Sequence, residues 1–256
     1  MQQRFEGKTV IVTGASSGIG EGSARRFAAE GANVVLVSRT RDKLDKVAAD
    51  LDPARALVHA ADCSKRDEVA AMIEATVKRF GQIDVLHANA GVGGTAPFEE
   101  ITPEQWRSTM ATNIDGYFHC AQLALPRLKK TKGCIVQTAS VSGLGGDWNF
   151  TAYNASKGAV VNFTRALALD LGKFGVRVNA VAPSLTLSEM TKDMIDDKQK
   201  IAKFNERMAL EGYATPADIA GAVTFLASAD ARFITGVILP VDGGVTAANG
   251  QPAQGA

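Results

Sequence analysis

Tyr153 and Lys157 begin and end the run Tyr153-Asn154-Ala155-Ser156-Lys157, and in a helix a four-residue step sets both on one face. A phenol and an ammonium so placed can trade a proton with an oxygen that gains or loses charge, as the interconversion of a carbonyl and an alcohol requires. At its reference pKa of about 10 a phenol ionises too reluctantly to serve as a base near neutrality. A lysine ammonium beside it favours the tyrosinate and is expected to bring that value down. Ser140 lies thirteen residues before Tyr153, and Asn113 stands in Asn113-Ile114-Asp115-Gly116. The Tyr–Lys pair alone is a weak signal.

A second cluster is the stretch Thr13-Gly14-Ala15-Ser16-Ser17-Gly18-Ile19-Gly20, which follows a β-branched run and opens a helical pattern. Glycines there let the backbone take positive φ and approach a ligand closely, and a helix N-terminus suits a pyrophosphate. The stretch therefore predicts a dinucleotide loop at Gly14, Ser16, Ser17, Gly18, Ile19 and Gly20. The next strand candidate ends Leu36-Val37-Ser38-Arg39. An acid at that point would accept hydrogen bonds from ribose hydroxyls and favour NAD; here Ser38 stands in its place, followed by Arg39 and then Arg41. A guanidinium fork suits a 2′-phosphate, so NADP(H) is expected over NAD(H), with NAD(H) as the alternative.

The elements that would position these groups alternate along the chain. Strand candidates are Thr9–Thr13, Val34–Ser38, Ala56–Ala60, Ile83–His87, Cys134–Thr138, Val176–Val181 and Val237–Leu239, short and apolar on consecutive positions, as strands buried on both faces must be. Helical segments fall at about 18–30, 41–51, 65–80, 103–130, 152–172 and 216–228. Thr102-Pro103-Glu104-Gln105 and Thr215-Pro216 carry helix-start signals. Such alternation predicts an α/β fold, a single Rossmann-type doubly wound domain over 1–256, with a seven-stranded parallel sheet and helices on both faces. Segment 185–213 is polar and charged and is read as a small helical excursion or substrate-binding flap, and the tail 247–256 as a frayed end.

The loop spacing Gly-x-x-x-Gly-x-Gly resembles that of the short-chain dehydrogenase/reductase family, whose pattern is Thr-Gly-x-x-x-Gly-x-Gly. Further matches are Asp62 before Cys63, Asn89-Ala90-Gly91, the Asn113 motif, the Ser140, Tyr153 and Lys157 spacing, and Asn179-Ala180-Val181-Ala182-Pro183. The end, Ile234-Thr235-Gly236 through Val241-Asp242-Gly243-Gly244, is also similar, so the resemblance covers about residues 5–247. It implies that Asp62 and Cys63 border the adenine and that Asn89, Ala90 and Gly91 flank the cofactor. It further implies that Lys157 binds the nicotinamide ribose, Ser140 holds a carbonyl oxygen, and Asn113 orders a water that relays protons to Lys157. Pro183 and Ser188 would lie by the nicotinamide, although Ser184 and Ser188 stand where the family has Gly and Thr, and His87 where it has Asn. Homotetramers through the two long helices, 103–130 and 152–172, are the family expectation.

The family spans many substrates, and fold alone does not choose among them. Segments 92–98, 141–150 and 185–213 should line the pocket, with Asp147 and Trp148 making it narrow and partly polar, or with Trp148 packing at a subunit contact instead. The tract from Cys134 to Trp148, Pro183-Ser184, Phe204-Asn205-Glu206-Arg207 and Asn249-Gly250-Gln251-Pro252 are similar to the acetoin reductases (2,3-butanediol dehydrogenases) of the family. That implies a small α-hydroxyketone, diketone or vicinal diol. The alternatives are a 3-oxoacyl-[acyl-carrier-protein] reductase and a catalytically silent NADP-sensing protein.

Composition closes off other classes. With 28 Lys+Arg against 27 Asp+Glu the net charge is +1, which leaves no electrostatic footprint for nucleic acid or an anionic membrane. No apolar run reaches the roughly 18 residues of a membrane span, and Met1-Gln2-Gln3-Arg4-Phe5 lacks the apolar stretch of a signal peptide. Cys63, Cys120 and Cys134 and the three histidines are too scattered for a disulfide framework or metal cluster. A cytoplasmic enzyme acting on a small carbonyl or alcohol, without metal, is the expectation.

Overall fold

The computed structural model describes residues 3–251; the end of the 247–256 tail, including Pro252, lies outside the described residues. Seven strands form one parallel sheet: β1 (Thr9–Thr13), β2 (Asn33–Ser38), β3 (Ala56–Ala60), β4 (Val85–Ala88), β5 (Cys134–Thr138), β6 (Arg177–Pro183) and β7 (Ile238–Val241), in the order β3-β2-β1-β4-β5-β6-β7. The β1 and β5 residues are buried throughout, as continuous apolar runs covered on both faces must be. The order reverses between β1 and β4, where Val12 pairs with His87. At such a switch point the loops leaving the two strands diverge and open a crevice.

The α-helices are α1 (Gly18–Ala29), α2 (Arg41–Ala48), α3 (Arg66–Phe80), α4 (Pro103–Met110), α5 (Gly116–Thr131), α6 (Thr151–Gly172), α7 (Lys192–Ile195), α8 (Lys198–Asn205) and α9 (Pro216–Ala227). Phe27, Leu44 and Ile219 from α1, α2 and α9 pack on one face of the sheet. Met72, Leu128 and Val160 from α3, α5 and α6 pack on the other. Fully burying each such side chain contributes about 1.5–3 kcal/mol, so the sheet is clamped from both sides. Both helix-start signals act as read. Thr102 N–H donates to Gln105 Oε1 at 2.9 Å and Gln105 N–H to Thr102 Oγ1 at 3.2 Å. Thr215 N–H donates to Asp218 Oδ2 at 2.7 Å.

Three expectations change. The helix over 103–130 is interrupted by a π-turn at Ala111–Asp115, a bulge that periodicity cannot reveal and that is common at functional sites. Strand β4 begins two residues later than expected, at Val85. Strands β6 and β7 run on to Pro183 and through Pro240. Proline lacks a ladder donor but is tolerated at a strand end and in an edge strand such as β7. The 185–213 segment carries the short helices α7 and α8, in keeping with a small helical excursion.

Candidate active site

The crevice begins at the carboxyl ends of β1 and β4. Thr13 Oγ1 accepts the N–H groups of Asn89 and Ala90 at 2.9 and 3.0 Å. The Asn89 carboxamide donates to Thr13 O at 2.9 Å and accepts from Thr138 Oγ1 at 3.0 Å, so one side chain ties β1, β4 and β5 together. Gly14 takes φ +68° and Gly18 φ +55°. A Cβ on Gly20 would lie 2.1 Å from Gly14 O, and one on Gly14 would lie 2.9 Å from Ala90 Cα. The loop therefore folds back on itself and presses against the Asn89-Ala90 turn, leaving its amides along the crevice as a dinucleotide phosphate would need.

From here a cleft of about 430 Å³ runs along the ends of the strands. At one end it is lined by Gly14, Ser16, Ser17, Gly18 and Ile19, then by Ser38, Arg39, Asp62 and Cys63. Asn89, Ala90 and Gly91 form its floor, Ser188 lies over the glycine loop, and Ser140, Tyr153, Lys157 and Pro183 form its far end. Gly20 and Asn113 stand behind this wall. The sequence-predicted residues thus come together around one opening that reaches from the β2 end to the Tyr153–Lys157 pair. That length suits an extended dinucleotide with its reacting ring at the catalytic end.

At that far end Lys157 is 3% exposed, and its Nζ donates to Thr138 O at 2.7 Å. Tyr117 OH donates to the same carbonyl at 3.0 Å. Burial with one carbonyl partner pushes the Lys157 ammonium down to about 7. The Tyr153 phenol, by contrast, is raised from its ordinary value. Burial is the main cause and the Asp147 charge adds to it, while a hydrogen bond with Ser140 opposes. The expected lowering by Lys157 is thus corrected: burial of the phenol and the Asp147 charge outweigh the Ser140 hydrogen bond, and its pKa goes up.

Asn113 is fully buried in the π-turn. Its Oδ1 accepts Val92 N–H at 2.8 Å, and its Nδ2 donates to Val92 O at 2.8 Å and to Ser156 Oγ at 2.9 Å. The side chain thereby fixes the strand-end loop against α6. Ser140 Oγ donates to Ser142 Oγ at 3.1 Å. Ser142 Oγ in turn donates to Asp147 Oδ2.

At the adenosine end, Ser38 Oγ donates to Thr40 O at 3.4 Å. Arg39 is exposed beside the cleft and has no ion-pair partner among the described residues. Burial works against the Asp62 carboxylate. Hydrogen bonds from Ser64 and the charges of Arg39 and Lys65 nonetheless hold its pKa below the ordinary value. Lys43 and Glu189 also line the cleft and form an ion pair of 2.7 Å across it. Ser188 packs over the glycine loop, since a Cβ on Gly18 would lie 3.0 Å from Ser188 Cβ.

Sequence reasoning did not single out Thr138, Ser142, Ser156, Lys43 or Glu189, whose roles come from contacts far apart in the chain. Ser156 alone had a signal, lying inside the Tyr153–Lys157 run. Trp148 was expected in the pocket wall or at a subunit contact; it is 90% exposed and does not line the cleft. Gly145 carries no neighbour within 4 Å of a built Cβ, so the loop swings outward there. Cys63 is buried behind the adenosine end, and the Cys120 thiol is raised by its hydrogen bond with Cys63 and by burial. Among the described residues no group of acidic, His or Cys side chains could hold a metal ion, and no helix is long and apolar enough to cross a membrane.

A family model described as enoyl-(acyl carrier protein) reductase matches residues 14–246. A meso-2,3-butanediol dehydrogenase of Serratia marcescens is 50% identical over 249 residues, covering 97% of this chain and 98% of that protein. The crystal structure of levodione reductase superposes with a TM-score of 0.91 at 33% identity, covering 96% of this chain and all (100%) of that one. A 3-ketoacyl-(acyl-carrier-protein) reductase from Brucella melitensis, solved complexed with NADH, gives 0.88 at 36% identity, covering 94% and 99%.

Gly20→Ala tests the fit of the glycine loop. The added Cβ meets the Gly14 carbonyl, so calorimetric titration is expected to show dinucleotide affinity lowered at least about tenfold, some 1.4 kcal/mol, in a protein that still unfolds cooperatively. Undiminished affinity would show that the loop does not hold the dinucleotide.

Proposed function

This chain belongs to the short-chain dehydrogenase/reductase family, and on that footing we propose that it interconverts a ketone and a secondary alcohol with a nicotinamide cofactor. Its substrate would be a small α-hydroxyketone, diketone or vicinal diol. The observation that carries the reaction class is the convergence of Ser140, Tyr153 and Lys157 at the end of a cleft that begins in the glycine loop. The half-identity to a meso-2,3-butanediol dehydrogenase supports the substrate class.

Bound in the cleft, the nicotinamide supplies or takes up a hydride at the substrate carbon. This chain manages the proton. Tyr153 gives a proton to the oxygen that gains charge in reduction, and receives one in oxidation. Ser140 steadies that oxygen by hydrogen bonding, and preorganised donors of this kind stabilise developing charge where water is excluded. Lys157 and Asn113 fix the floor, through Thr138 O and Val92 respectively. Gly14, Ser16, Ser17, Gly18 and Ile19 would hold the pyrophosphate, Asp62 and Cys63 the adenine, and Pro183 and Ser188 the nicotinamide side.

NADP(H) is our preferred cofactor. It is supported by Ser38 in place of an acid and by an unpaired guanidinium at Arg39, which matches a 2′-phosphate. The reading extends to a cytoplasmic homotetramer. Support comes from exposed Phe118 on α5 and Leu169 on α6 and from three free cysteines suited to a reducing compartment. A 3-oxoacyl-[acyl-carrier-protein] reductase is the second reading, favoured by the Brucella neighbour. Turnover of an acetoacetyl thioester with none of diacetyl or acetoin would move the assignment there.

Two outcomes are expected. Tyr153→Phe lowers kcat for diacetyl or acetoin reduction by at least about 100-fold, the scale of a missing general acid, while cofactor affinity stays within about threefold. Retained turnover would remove Tyr153 from the mechanism. Arg39→Ser raises the KM for NADPH about tenfold, the scale of one charge-assisted hydrogen bond to phosphate, and leaves that for NADH unchanged. Near-equal KM values for the two cofactors in the unaltered enzyme would contradict the phosphate clamp.

A further inference from the structure

Lys43 stands in the first turn of α2, and its own helix gives it no acid to pair with. The residues one turn away are Arg39, Thr40, Lys46 and Val47. Its partner is Glu189, 146 residues along the chain, whose two carboxylate oxygens accept Lys43 Nζ at 2.9 and 2.7 Å. Both residues line the cleft. The pair thus joins the wall that follows β2 to the wall that follows β6.

The part of the chain that carries Glu189 is braced from within. Leu187 N–H donates to Ala214 O at 2.8 Å and Ala214 N–H to Leu185 O at 3.0 Å, which stitches together the two ends of the 185–213 excursion. Thr191 Oγ1 accepts Ser188 N–H at 3.0 Å and donates to Thr186 O at 2.5 Å. Ser188 lies on the glycine loop, its Cβ 3.0 Å from a Cβ built on Gly18. The very next residue reaches α2, so the chain crosses the glycine loop and ends the crossing in the Lys43–Glu189 contact.

The charges give this crossing a sense. A loop of main-chain amides at a helix N-terminus favours an anionic diphosphate, and a carboxylate beside it opposes the same ligand. Glu189 is tolerable there because Lys43 neutralises it. An ion pair this exposed contributes little to folding, yet its place bears directly on whatever lies between the glycine loop and α2.

We propose that Lys43 and Glu189 form a strap over the cofactor's diphosphate and set how fast the dinucleotide leaves. The inference rests on the reading of the cleft as a dinucleotide site. Lys43 is the retaining residue, and Glu189 is the positioning residue that holds it across the opening. The diphosphate is common to NADPH and NADH, so the strap acts on both alike, unlike Arg39, whose guanidinium bears on the 2′-phosphate. Loss of either partner opens the strap, but the two losses are unequal. Without Lys43 an unpaired carboxylate is left by the phosphates; without Glu189 an unpaired ammonium is.

The test is stopped-flow release of NADPH and of NADH, followed by the fluorescence of the reduced nicotinamide. It compares the unaltered protein with Lys43→Ala, Glu189→Gln and the exchanged pair Lys43→Glu/Glu189→Lys. Lys43→Ala is expected to speed release of both cofactors about fivefold, the upper range for an exposed pair, and Glu189→Gln at most about twofold. The exchanged pair should return to within about twofold of the unaltered rate. Faster release of NADPH alone would overturn the strap and make Lys43 a ligand of the 2′-phosphate. A second readout needs no cofactor: hydrogen–deuterium exchange of residues 187–191 should quicken about threefold in Lys43→Ala and recover in the exchanged pair. Unmoved exchange counts against the strap. A protein that holds neither cofactor would overturn the dinucleotide reading and the strap with it. One that holds both and releases them at the same rate in every variant would overturn the strap alone.

Discussion

Lys157 brings its amine into a buried place with one hydrogen-bond acceptor, the Thr138 carbonyl. Burying an ammonium is costly unless it is paired, and with no carboxylate among the causes of its shift the group responds by losing proton affinity. The neighbouring structure is arranged around this position. The end of β5 offers Thr138 O to Lys157 and to Tyr117 at once. Gly91 keeps that corner open, since a Cβ there would stand 3.3 Å from Asn113 Oδ1 and 3.7 Å from Lys157 Nζ. The π-turn sets Asn113 where its carboxamide can pin Val92 and Ser156.

The sheet supplies what the lysine alone could not. Parallel strand order places the ends of β1, β4 and β5 side by side, and Asn89 stitches all three. The glycine loop and the Tyr153–Lys157 helix are therefore tied to the same rigid edge, although the sequence separates them by more than a hundred residues. A hydride donor and a proton donor must meet one carbonyl from fixed directions, and a tolerance of fractions of an ångström is what such an edge provides. The exposed Lys43–Glu189 pair beside the cleft is of the kind worth about 0–1 kcal/mol.

Much of this was legible in the sequence because it depends on local pattern. Buried parallel strands announce themselves as consecutive Val and Ile, Thr102-Pro103 marks a helix start, and glycines at 14, 18 and 20 mark a backbone that must approach itself. What escaped depends on distance in the chain. No pattern tells that Thr138 offers its carbonyl to Lys157, that Ser142 and Asp147 continue the line from Ser140, or that helix 103–130 bulges at Asn113. The Tyr153 expectation failed for a related reason. Four-residue spacing shows that a lysine is near, but not how deeply the phenol itself is buried, and that burial is what raises its pKa. Of the two places expected for Trp148 the pocket wall fails, because a sequence places a residue near another along the chain without saying which way the loop turns.

A titration of the Lys157 side chain in the unliganded protein, followed by nitrogen-15 and carbon-13 NMR with the ε-position labelled, tests this arrangement most directly. The expected midpoint is about 7, with the signal assigned by its absence in Lys157→Met. A midpoint near the ordinary lysine value of about 10.4 would contradict the account, because it would mean that the group is wet or paired and that the site is not organised around a dry lysine.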